Sequence, residues 1–104
     1  MLPKANRFTF KTRIPKQILN SKVFSLRYDK NEEGLKVGVV VSKKVDRSAV
    51  VRNTIKRKIL AAVAKNLDKS TGLTLVFYAR KQIEGSDLAQ EVADAIEKIS
   101  GIKD

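Results

Sequence analysis

Residues 42–67 read S-K-K-V-D-R-S-A-V-V-R-N-T-I-K-R-K-I-L-A-A-V-A-K-N-L, and this stretch decides the fold. Val51, Ile55, Ile59, Ala62 and Val63 recur at the three- and four-residue spacing that gathers side chains on one side of an α-helix. Asp46 and Ser48 are the candidate N-caps, because a short oxygen-bearing side chain accepts from the free backbone N–H groups of a first turn. The periodicity runs to about Asn66. Apolar alternating runs precede and follow this helix, at 35–42 and 72–80. A connection of that length can join two parallel neighbouring strands.

The flanking segments fill in the rest. In L-K-V-G-V-V-V-S, residues 35–42, Leu35, Val37, Val39 and Val41 make a core face. Lys36, Gly38, Val40 and Ser42 make a second, more polar one. In residues 72–80, Leu73, Leu75, Phe77 and Ala79 point one way and Thr74, Val76, Tyr78 and Arg80 the other. Residues 22–28, K-V-F-S-L-R-Y, place Phe24, Leu26 and Tyr28 opposite Ser25 and Arg27. The polar stretch 29–34, D-K-N-E-E-G, suits a hairpin loop. Residues 8–14 alternate and predict a further strand. Pro15 then suits the first position of a short helix through about Asn20. Ser86 is the candidate cap of a last helix to about Ile99, with Leu88, Val92, Ile96 and Ile99 as its apolar stripe. The expected architecture is α+β: one domain over residues 1–104, a two-layer sandwich of helices on a small mixed sheet.

Charge is distributed unevenly. The chain of 104 residues carries a net charge of +11. Residues 1–58 hold 16 Lys/Arg against 4 Asp/Glu, whereas residues 59–104 hold 6 against 7. One-sided excess of this kind points to a binding surface for a polyanion. Seven of the basic residues lie between 42 and 58, beside the single acid Asp46. On the wheel, Asn53, Lys56 and Arg57 turn outward together, with Arg52 at the border of the apolar stripe. The plain alternatives are a solvated helix face or a membrane surface. Against them, like charges one turn apart repel, as at Arg52 and Lys56. Cations in a first turn also oppose the helix dipole. Arg offers a planar fork to phosphate or a base edge, and Asn both donates and accepts. Nucleic acid is therefore the favoured partner.

Other classes are disfavoured by what the chain lacks. It has no His and no Cys, which removes the usual general base, the commonest metal ligand and any disulfide, and suits a reducing cytoplasm. Its carboxylates read as a polar loop at Glu32 and Glu33 and a wet helix face at Asp87, Glu91, Asp94 and Glu97. No apolar run is long enough to span a bilayer, and the start M-L-P-K-A-N-R-F is not a secretory signal.

The run V-S-K-K-V … A-V-V-R-N-T-I-K-R-K, residues 41–58, resembles the signature of the bacterial ribonuclease P protein component. In that family a strand ending in S-K-K leads into a helix opening R-N-R-x-K-R. The opening L-P-K-A-N-R-F is similar to the family's usual opening, A-R-K at residues 79–81 is similar to the end of its last strand, and the order of elements agrees, so the resemblance covers nearly the whole chain. Thr54, Leu60 and Ala61 depart from the pattern, standing where the family commonly has Arg, Arg, and Glu or Gln. The D-R-S-A loop is one residue longer than the usual G-N-A, and the N-terminal helix is shortened by Pro15.

The resemblance implies an αβββαβα-like fold with a left-handed βαβ crossover, like the second domain of ribosomal protein S5. It implies a subunit of ribonuclease P, the endoribonuclease that matures the 5′ end of tRNA. The catalytic RNA performs the chemistry with Mg²⁺ that it holds itself, and the protein supplies no catalytic residue and no metal site. Arg52, Asn53, Lys56 and Arg57, supported by Lys43, Lys44, Arg47 and Lys58, are the expected contacts to that RNA. Ser25, Arg27, Lys36, Val40, Ser42, Tyr78 and Arg80 form the sheet face expected to take the 5′ leader of precursor tRNA. An extended single strand suits such a face, with basic groups along its phosphates and aromatics under its bases. The expected state is a cytoplasmic monomer in a 1:1 complex with RNA. The competing classes are a non-catalytic RNA-binding module such as a ribosomal protein, a DNA-binding protein using the basic helix in a major groove, and an autonomous protein nuclease.

Overall fold

The computed structural model describes residues 7–8, 14–68, 70–80 and 87–102. Among these residues, four strands and two helices follow in the order β1 (Gln17–Asn20), β2 (Phe24–Lys30), β3 (Lys36–Val40), α1 (Ala49–Asn66), β4 (Leu73–Ala79) and α2 (Leu88–Ile102). The sheet order is β1-β2-β4-β3. β1 and β4 both pair antiparallel with β2, while β3 pairs parallel with β4. The expected helical crossover between parallel neighbours is therefore the β3–α1–β4 unit.

Two local expectations are corrected. The segment after Pro15 is a strand rather than a short helix, with Leu19 opposite Leu26 and Asn20 opposite Ser25. Six residues are too few to nucleate a helix against competing strand pairing. The Lys16 N–H also donates to the Asp29 carboxylate at 2.8 Å, which ties the entry of β1 to β2. The 29–34 stretch is not a hairpin loop. β2 and β3 do run in opposite senses, but β4 lies between them. The Asn31 carboxamide oxygen shapes this connection by accepting from the N–H groups of Glu33 and Gly34 at 2.9 and 3.0 Å. Gly34 then turns with φ 100°, where glycine carries no Cβ penalty. Asn31 Nδ2 donates to Thr74 Oγ1 at 2.7 Å, so the loop is fastened to the central strand.

Of the strand expected at 8–14, most lies outside the described residues. Arg7 forms an isolated parallel bridge to Val37, and the Phe8 N–H donates to the Val37 carbonyl at 2.8 Å.

Both helices are capped at their starts by side chains. Ser48 Oγ accepts from the Val51 N–H at 3.3 Å. Asp46, the other candidate, accepts from the Ser48 N–H at 2.8 Å and braces the cap itself. Ser86 lies outside the described residues. Asp87 takes the role expected of it, accepting from the Gln90 N–H through its carboxylate and from the Glu91 N–H through its carbonyl.

The core lies between the helices and one sheet face. Ile55, Ile59, Ala62 and Val63 of α1 and Leu88, Val92, Ala95, Ile96 and Ile99 of α2 cover Phe24, Leu26, Tyr28, Val37, Leu75 and Phe77. Phe24 and Phe77 meet edge to face at 5.1 Å, the arrangement that ring quadrupoles favour. Val76 points to the opposite face, yet it too is fully buried.

Candidate nucleic-acid interface

One surface is built from α1 and the loop before it. α1 must turn its apolar stripe inward, so the remaining side chains are directed outward by helical geometry alone. Asn53, Arg57 and Lys58 are exposed, and Lys56 is half-buried beside the stripe. Lys43, Lys44 and Arg47 are exposed on the loop, which turns tightly where the Val45 N–H donates to the Ser42 carbonyl at 3.0 Å. Together they leave one acid, Asp46, among seven bases. That acid is occupied by the Ser48 N–H. The first turn of α1 holds no acidic residue.

Arg52 is placed differently from its neighbours. It is half-buried, and its Nη1 donates to the carbonyls of Asp46 and Arg47 at 3.0 and 2.9 Å. The guanidinium is folded back on the loop. The charge pattern gives no sign of this. Two departures from the R-N-R pattern also acquire a structural account. Thr54 Oγ1 donates to the Val50 carbonyl one turn back, and Leu60 packs against the core.

The second surface is the sheet face opposite the helices. Strand register sets its side chains in cross-strand rows. Asn20, Ser25, Tyr78 and Val40 form one row. Ile18, Arg27, Val76 and Gly38 form the next, and Asp29, Thr74 and Lys36 the third. The fold thus brings Ser25, Tyr78, Val40 and Arg27 together, while Lys36 stands at the far end. That end is mixed in charge, with Asp29, Glu32 and Glu33 around the same depression as Arg7 and Lys36. At the near end, Ser42 and Arg80 leave their strands and are exposed.

Asn20 joins this face although the sequence reading placed it in a helix. Its Oδ1 accepts from Ser25 Oγ at 3.1 Å and from Arg80 Nη2 at 2.9 Å. Arg can only donate, so the carboxamide is oriented with its oxygen inward. β1 pairing is the signal that would have found it.

The chain passes directly from one surface to the other. Val40 closes β3 on the sheet face, Ser42 follows, and Lys43 opens the basic loop. Among the described residues there is no group of acidic, His or Cys side chains that could hold a metal ion. No described helix is long and apolar enough to cross a membrane.

Residues 2–100 match the family model described as Ribonuclease P. A protein of Marinomonas sp. named ribonuclease P protein component is 33% identical over 89 residues, covering 78% of this chain and 67% of its own length. One of that name from Nitrosomonas eutropha is 36% identical over 66 residues, covering 64% of this chain and 54% of its own. The match thus spans about half to two thirds of the curated relatives' length. Among solved structures, the ribonuclease P protein of Staphylococcus aureus superposes with a TM-score of 0.69 at 21% identity, covering 95% of each chain, and shares the fold. Matched by that family model over residues 2–100, and carrying a basic loop and helix that follow directly from the polar sheet face, the chain belongs to the ribonuclease P protein family.

Proposed function

We propose that the protein is the protein subunit of a ribonuclease P ribonucleoprotein and supports maturation of the tRNA 5′ end. The observation that carries this reading is the gathering of seven basic residues, beside the single acid Asp46, on α1 and the loop before it. A folded RNA can lie along α1 and the 43–47 loop while a single-stranded leader runs onto the sheet face. Asn53, Lys56, Arg57 and Lys58 meet the catalytic RNA from the helix, and Lys43, Lys44 and Arg47 meet it from the loop. Arg52 belongs to the same patch. Ser25, Arg27, Val40, Ser42, Tyr78 and Arg80 line the leader path, joined by Asn20, with Lys36 at its far end. Basic groups neutralise phosphates without reading sequence, which suits leaders of varied sequence.

The chemistry belongs to the RNA and the Mg²⁺ it binds. The chain has no His or Cys to activate water. Its contribution is differential binding, which lowers the Mg²⁺ needed to fold the RNA and hold the substrate. The complex is cytoplasmic, with one protein per RNA.

The test is precursor-tRNA cleavage by a bacterial ribonuclease P RNA at low Mg²⁺, with and without the protein. Wild type restores 5′ maturation, and Lys56→Ala/Arg57→Ala loses most of the stimulation. Binding without any stimulation of cleavage would reduce the protein to a non-catalytic RNA-binding module.

A further inference from the structure

We propose that Arg52 is a positioning residue. Its guanidinium holds the Ser42–Ser48 loop so that Lys43, Lys44 and Arg47 are already in place for RNA phosphates. The inference rests on the RNA-binding reading above but assigns Arg52 a different task from Arg57.

Three observations carry it. First, a single nitrogen, Nη1, bridges two consecutive carbonyls, those of Asp46 and Arg47. Donors on a charged group make stronger hydrogen bonds than neutral ones, and they are spent here on the protein's own backbone. Second, the other ties of the loop lie elsewhere in it. Among the described residues they are the Val45–Ser42 turn, the packing of Val45 on the core, the Asp46 bond to the Ser48 N–H, and the cap in which Ser48 accepts from the Val51 and Arg52 N–H groups. None of these engages the Asp46 and Arg47 carbonyls. Three cations within five residues repel one another, so an untied loop would splay. Third, Arg57 contrasts with Arg52. It is exposed, and among the described residues no side-chain hydrogen bond or ion pair occupies it. Arg57 is free for phosphate, whereas Arg52 is engaged. A loop ordered in advance avoids the entropic cost of ordering it on binding.

The experiment compares Arg52→Ala, Arg52→Lys, Arg57→Ala and Arg57→Lys. Amide hydrogen exchange is read on the free protein, and affinity for ribonuclease P RNA is read at fixed salt. Lys keeps the charge but replaces the rigid planar fork with a flexible stem whose ammonium ends one bond short of the Nη1 position. Both Arg52 variants should raise exchange at the Val45 and Ser48 amides about tenfold, as expected for loss of a charge-assisted hydrogen bond, with Leu75 and Phe77 unchanged as controls of folding. Neither Arg57 variant should do so. Arg57→Lys should retain most of the RNA affinity, while Arg52→Lys should lose nearly as much as Arg52→Ala. Wild-type loop exchange in Arg52→Ala, or near-native affinity in Arg52→Lys, overturns the assignment. Failure of wild type to bind the RNA overturns the parent reading instead, and it is distinguishable because the exchange arm needs no RNA.

Discussion

Gly72 and Asn31 touch through their backbones. The Asn31 N–H donates to the Gly72 carbonyl at 2.9 Å, and a Cβ added at Gly72 would collide with the Asn31 carbonyl oxygen. The obstacle is backbone, which cannot rotate away as a side chain can. Gly72→Ala should therefore destabilise the fold by about 1–3 kcal/mol, the range for forced overpacking. Urea denaturation should show a lower midpoint at unchanged slope. A wild-type midpoint would mean that the two strand ends part freely.

The Asn31 side chain makes a complementary case. Asn31→Ala removes two accepted bonds and one donated bond, and should cost about 1–2 kcal/mol. Asn31→Asp keeps both acceptors, and the Thr74 hydroxyl can rotate to donate instead of accept. That variant should stay within about 0.5 kcal/mol of wild type. Thermal unfolding of the two proteins side by side checks the contrast, and equal losses would refute it.

Ser48 separates stability from binding. Ser48→Ala should cost about 0.5–1 kcal/mol, the lower part of the range for a lost cap, because the bond to Val51 is long. Ser48→Asp should recover that stability, since a carboxylate caps well and favours the positive end of α1. The same carboxylate stands beside Arg47 and the loop lysines, so RNA affinity should fall. Affinity and melting temperature moving together in Ser48→Asp would contradict this.

Phosphate contacts leave a signature in salt. Lys56→Ala and Arg57→Ala should each flatten the slope of log Kobs against log salt by about 0.7–0.9, one counterion's release. Filter binding over a KCl series reads this directly. Affinity loss with the slope intact would assign these residues to packing.

The sheet face should respond only to substrate that has a leader. Tyr78→Ala removes a stacking surface and should weaken leader-bearing substrate by about 1–3 kcal/mol. Arg27→Ala should weaken it through phosphate. Neither should affect a leaderless tRNA bound to the same holoenzyme. Equal losses on both substrates would place the leader elsewhere.

The legible parts of the molecule are those that local spacing dictates. α1 ends at Asn66 as its periodicity requires, with Ser48 as its cap, because each signal is set by residues within a turn or so of it. The alternation of Leu35, Val37 and Val41 against Lys36 and Val40 is likewise local, and it places most of the sheet face. β1 escapes such reading because its stability comes from Leu19 and Asn20 meeting Leu26 and Ser25 across the sheet. The position of β4 between β2 and β3 is also non-local. Arg52 is the clearest instance at the interface. A wheel places its Cα but cannot reveal that two carbonyls of the preceding loop receive its guanidinium. Asn20 likewise gains its orientation only from Arg80, sixty residues later.

The central place of β4 has a consequence for synthesis. When a ribosome has extruded the chain only through Asn66, β2 and β3 have no partner between them and the apolar side of α1 has no finished sheet to cover. That nascent stretch already carries the excess positive charge. The first half of the protein therefore stays strongly cationic and without a closed core until residues 73–79 emerge and insert. Pairing of strands distant along the chain is slow. During that interval nearby ribosomal RNA is a competing polyanion, and the insertion of one neutral, apolar strand ends the exposure by closing the core.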